Sequence, residues 1–68
     1  MSLGSLVAKN LRKIRQERGL TQDELADLAG ITKNYVGMIE RKEKAPTITT
    51  LERLAKALKV KALRFFEE

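Results

Sequence analysis

The stretch that decides the fold is TQDELADLAGITKNYVGMI, Thr21–Ile39. It reads as two short helices separated by Ala29, Gly30 and Ile31. Thr21 offers a hydroxyl N-cap and Glu24 follows at the capping-box spacing, so the first helix runs from about 22 to 28. Leu25 and Leu28 are expected to point inward. Asp23, Glu24 and Asp27 sit favourably near the positive N-terminal end. Gly30 suits the left-handed conformation of a sharp helix-to-helix turn. Thr32 can cap a second helix, about 33–41, with Val36 and Ile39 inward. Ala26 is small and one turn before the break, which lets the helices cross closely. Leu25, Ile31, Val36 and Ile39 supply an apolar seam that locks the pair at a steep angle. Each feature alone is weak. Together, at this spacing, they meet the mechanical need of a helix-turn-helix, whose second helix must project from the domain.

Working outward, Leu6, Val7, Leu11 and Ile14 recur with helical spacing, and Gly19 follows Arg18 as a stop, so a helix is expected over about 5–18. Residues 42–48 read as a loop around Pro46, the only proline. Thr47 or Thr49 can cap a fourth helix carrying Leu51, Leu54, Ala55 and Leu58. Val60 and Ala62 to Phe66 predict a short fifth helix with Ala62 and Phe65 toward the core and Leu63 and Phe66 toward solvent. The expected fold is all-α: one compact five-helix domain over residues 1–68, with residues 1–4 outside the folded part.

The chain has 68 residues, no histidine and no cysteine. The absences remove disulfides, thiolate sites and the commonest zinc ligands, so no metal and no cofactor are expected. They also remove the usual general base, and a substrate-enclosing pocket is improbable at this size. Neither catalysis nor a small-molecule ligand is expected. No apolar run reaches the length of a membrane span and no signal-peptide pattern is present, which predicts a cytoplasmic protein without a membrane partner. The net charge is +5, from 14 Lys and Arg against 9 Asp and Glu. An acidic segment at 21–31 lies between basic ones. Either one side faces a polyanion, or the surface is simply solvated.

The run LTQDELADLAGITKNYVGMIERKEKAPTITTLERLAKALKV, Leu20–Val60, resembles the lambda-repressor-like, or xenobiotic-response-element-type, DNA-binding domains of bacteria and phages. The parallels are the TQ opening, Ala26, Gly30, the YVGMIER segment and the TLERLAKALKV helix, and they extend over roughly residues 8–66. The resemblance implies a five-helix domain that binds a double-stranded operator, usually as a homodimer, in a transcription regulator. Small restriction–modification controller proteins are similar in size and in ending soon after a fifth helix with adjacent aromatics, here Phe65 and Phe66. An antitoxin-like protein or a protein-interaction module of the same fold is the alternative.

Geometry allots roles within that frame. At 100° per residue, Val36 and Ile39 mark the buried side of the second helix of the motif. Asn34, Gly37, Met38 and Arg41 fall opposite, with Lys33 at the N-terminal end. These are the positions at which the family meets base edges. Lys33 has the donors for guanine O6 and N7, and Asn34 the amide for adenine N6 and N7. Gly37 either admits the DNA backbone closely or is merely tolerated. Met38 faces thymine methyls in the same frame. Tyr35 either packs with its hydroxyl at the rim or reaches a phosphate. The resemblance places Gln22 on a phosphate, bracing the start of the recognition helix. Arg41, Lys42 and Lys44 would clamp phosphates. Arg15 and Glu40 match a family pair that orients the motif, from which Arg15 can also reach DNA. Leu63 and Phe66 are candidates for a subunit interface, or one of them caps the core.

Overall fold

The computed structural model describes residues 2–68. Helix α1 spans Leu3–Glu17, α2 Gln22–Ala29, α3 Lys33–Glu40 and α4 Ile48–Leu58, and a 3-10 helix follows at Ala62–Phe66. The expected fifth helix is therefore a single tight 3-10 segment, and the fold among the described residues is four α-helices plus that segment. Only five residues are available between the Lys61 start and the extended Glu67, a length at which 3-10 bonding is common.

Serine and threonine hydroxyls begin all four α-helices. Ser2 caps α1 by accepting from the Ser5 N–H at 3.1 Å. Ser2 and the first turn of α1 thus belong to the fold, against the expectation that residues 1–4 lie outside it; Met1 lies outside the described residues. Thr21 accepts from the Glu24 N–H at 3.0 Å while Glu24 accepts from the Thr21 N–H at 2.9 Å, a complete capping box. Thr32 caps α3, and Thr47, not Thr49, caps α4.

The helix ends share one device as well. After α2, Gly30 takes φ 70° and the Ile31 N–H donates to the Ala26 carbonyl at 3.0 Å. Lys42 takes φ 65° after α3, and there the Glu43 N–H donates to the Met38 carbonyl at 2.8 Å. Lys59 takes φ 58° after α4, with the Val60 N–H donating to the Ala55 carbonyl at 3.0 Å. These left-handed closures satisfy carbonyls that a helix end would leave free. Glycine serves after α2, but lysine holds the strained position after α3 and α4.

Leu11, Leu25, Val36, Ile39, Leu54, Leu58 and Phe65 form a fully buried centre drawn from every element. Each fully buried large apolar side chain contributes about 1.5–3 kcal/mol relative to exposure. The inward face of α2 is Leu25, Ala26 and Ala29, not Leu25 and Leu28. Leu28 is 62% exposed, because three residues after Leu25 it has rotated past the edge of a stripe that the two alanines already fill. Asn10 is the buried polar exception. Its side-chain amide donates to the Phe65 carbonyl at 2.9 Å and the Glu67 carbonyl at 2.8 Å, tying the 3-10 segment to α1.

Candidate nucleic-acid interface

Between α2 and α3 the turn is three residues long, so the first residues of both helices come to one side. There Gln22, Lys33, Asn34, Gly37 and Arg41 line a shallow cup of about 190 Å³. Lys33 and Asn34 are exposed at the start of α3. The α3 N-terminus carries the partial positive charge and free N–H groups that attract phosphate.

What sets the angle of the pair is a buried ionic node behind the cup. Arg15 of α1 donates from Nε to Glu40 Oε2 at 2.7 Å and from Nη2 to Glu40 Oε1 at 3.0 Å. Its Nη1 donates to the Leu20 carbonyl at 2.8 Å. Gln22 Nε2 donates to Glu40 Oε1 at 3.1 Å, so the first residue of α2 is tied to the last of α3. The hydrogen bond from Glu40 raises the Arg15 pKa, with burial opposing it and the Glu40 charge adding to it. Only 4% of the Glu40 side chain is exposed. At that burial, bidentate geometry and the third donor are what offset the desolvation of the charges.

The expected orienting pair is present, but Arg15 does not face outward. Its guanidinium is buried and directed to Glu40 and Leu20, which corrects the phosphate role expected for it. Gly37 is also displaced from its expected role. Instead of offering bare backbone, it is buried beneath the Arg41 side chain: a Cβ built there would sit 2.8 Å from Arg41 Nη1 and 3.5 Å from Gln22 Oε1. Met38 is half-buried, and its carbonyl accepts from the N–H groups of Glu43 and Lys44. Tyr35 packs half-buried against the core, with its hydroxyl 3.5 Å from Thr50 Oγ1. Arg41, Lys42 and Lys44 are exposed after α3. The structural residues Ala26, Val36 and Ile39 are buried, Ile31 packs against them, and Gly30 makes the turn. At the opposite end of the chain, Leu63 is 75% and Phe66 37% exposed.

Two participants were absent from the sequence reading. The resemblance gave Gln22 a bracing role without its partner Glu40. Glu43 was not singled out, yet it accepts from Arg41 Nε at 3.1 Å and Nη2 at 3.2 Å. The mixed charges of Arg41-Lys42-Glu43-Lys44 were the only available signal. That hydrogen bond raises the Arg41 pKa and lowers that of Glu43.

A projecting helix whose start is exposed, flanked by cations and fixed at its far end by a buried node defines a helix-turn-helix domain. The family model described as Helix-turn-helix matches residues 11–65, and the chain belongs to that family. Among its relatives, control protein C.SmaI of Serratia marcescens is 41% identical over 58 residues, covering 85% of this chain and 69% of that protein. The crystal structure of the restriction-modification controller protein C.AhdI from Aeromonas hydrophila superposes with a TM-score of 0.90 at 32% identity, over 93% of this chain and 96% of that one. An HTH_3 family transcriptional regulator from Vibrio cholerae gives a TM-score of 0.90 at 41% identity, over 94% of this chain but only 36% of that longer protein. Among the described residues no helix is long and apolar enough to cross a membrane.

Proposed function

We propose that this protein is a sequence-specific double-stranded DNA-binding transcription regulator of the restriction–modification controller or small repressor type. The carrying observation is the exposed start of α3, where Lys33 and Asn34 stand free beside Gln22 on a helix pair braced through Glu40. Placed in a major groove, α3 presents Lys33 and Asn34 to base edges, while Gln22, Lys42 and Lys44 hold phosphates. Membership of the family and the likeness to the controller proteins support the same reading. It assigns the protein to the cytoplasm, where its DNA is, and gives it no catalytic step.

The regulator acts as a homodimer through the C-terminal face. Leu63 and Phe66 are exposed there, and Leu3 of α1, 67% exposed, lines one apolar groove with Phe66. Exposed apolar side chains clustered on so small a domain favour a self-complementary interface. Binding selection from a random duplex library tests both statements. A dimeric regulator recovers a pseudo-palindrome with half-site centres about 10–10.5 bp apart. Recovery of no consensus, with only weak salt-sensitive binding, overturns the reading.

A further inference from the structure

Arg41 is not arranged as an ordinary phosphate clamp. Lys33, Gly37 and Arg41 lie four residues apart and so share one stripe of α3. Helical side chains lean toward the N-terminus, and Arg41 does so across Gly37, where any Cβ would meet its Nη1 at 2.8 Å. The guanidinium is thereby brought into the cup with Lys33, Asn34 and Gln22. Glu43 takes the side edge of the fork, Nε and Nη2, at 3.1 and 3.2 Å. Glu43 is itself placed by the backbone closure of α3, through its N–H bond to the Met38 carbonyl at 2.8 Å. The outer edge of the fork, Nη1 with the second Nη2 hydrogen, has no partner among the described residues. Two parallel N–H donors on a fixed planar group match O6 and N7 of a guanine, and a lysine cannot reproduce that geometry.

We propose that Arg41 is a base-reading residue that selects a guanine, held in its pose by Glu43 and given room by the missing side chain of Gly37. This rests on the regulator reading above and adds a specificity determinant to it. Gly37 is a positioning residue: it touches no base and acts through Arg41.

The test repeats the duplex selection with the full chain as wild type, Arg41→Lys, Arg41→Ala and Gly37→Ala, with helicity checked by circular dichroism. Duplexes differing at the assigned position are then titrated at several salt concentrations. The expected result is one guanine per half-site lost from the consensus in both Arg41 variants, other positions unchanged. The discrimination lost is about 5- to 150-fold, the range for one bidentate contact. Gly37→Ala, which displaces the guanidinium without removing it, weakens preference at that same position and no other. Arg41→Lys keeping the wild-type consensus, with Arg41→Ala weakening all duplexes alike and lowering the salt slope by about one, makes Arg41 a phosphate contact and overturns the proposal while leaving the regulator reading intact. A wild-type selection without any consensus overturns both.

Discussion

Arg15 and Glu40, 25 residues apart in the chain, meet through two parallel hydrogen bonds of 2.7 and 3.0 Å with both side chains almost wholly buried. The pair joins α1 to the last residue of α3, and Gln22 adds α2 to the same carboxylate. One oxygen of Glu40 therefore serves two helices. The orientation of the recognition helix and the stability of the domain depend on the same atoms.

Removing the charge of Glu40 leaves the Arg15 guanidinium buried without its counter-ion. Glu40→Ala is expected to destabilise the domain by about 3–5 kcal/mol, the range for breaking one side of a buried pair. Gln22→Ala removes only the neutral donor and is expected to cost about 0.5–1.5 kcal/mol. Urea unfolding of the two variants checks the contrast. Equal effects would show that Glu40 is not the centre of the node.

At the other end of the molecule, Asn10 is the sole tie holding two carbonyls of the C-terminal segment in a buried place. Asn10→Leu is expected to leave the Phe65 and Glu67 carbonyls unsatisfied at about 1–3 kcal/mol each. Hydrogen exchange would show it first in Ala62–Phe66, with α2 and α3 protected as before.

Lys33→Ala and Asn34→Ala are each expected to relax base preference at particular positions by about 1–3 kcal/mol. Lys44→Ala is expected to weaken all duplexes alike and to lower the salt slope by about one unit. Titrations of matched and mismatched duplexes at three salt concentrations separate the two behaviours. If Lys33→Ala and Asn34→Ala changed neither affinity nor preference, α3 would not be the reading helix.

Lys59 occupies a left-handed backbone position that costs an L residue with a Cβ about 1–2 kcal/mol. Glycine escapes that cost but gives back about 0.4–1 kcal/mol through the freer unfolded chain. Lys59→Gly is therefore expected to raise stability by roughly 0.5–1 kcal/mol, read as a higher thermal midpoint. No rise would mean that the Lys59 side chain makes a compensating contact.

Glu43 has its pKa lowered, mainly by the hydrogen bond from Arg41. Its contribution is thus present above the ordinary carboxylate value of 4.5 and is lost as pH falls through the lower folded value. A carboxyl-carbon NMR titration is expected to place Glu43 below 4.5 and to return it to the ordinary range in Arg41→Ala. An ordinary midpoint in the wild type would remove the support Glu43 lends to Arg41.

Local chemistry made much of this legible in advance. Thr21 with Glu24, Thr32 and Gly30 carry their structural meaning within a few residues, so the helix-turn-helix could be read directly. Leu28 was misread because helical spacing finds a stripe but not its edge, and Ala26 and Ala29 had already filled it. The left-handed Lys42 and Lys59 gave no warning, since lysine carries no preference for that conformation. Asn10 on two distant carbonyls and Gln22 on Glu40 are products of tertiary packing. The stacking of Arg41 over Gly37 was hidden for a simpler reason: a glycine in mid-helix shows that a side chain is missing, not what lies in its place.

The three-residue turn at Gly30, bonded back into α2 through the Ile31 N–H, has a thermodynamic corollary. With the turn closed on itself and Glu40 bridging the outer ends, the two helices move as one rigid body. The entropy of ordering the recognition element is spent when the chain folds, not when it meets DNA. Association should then proceed as docking of a preformed surface, without the large negative heat-capacity change of coupled folding. What adapts at the moment of contact is the duplex and a few long cationic side chains.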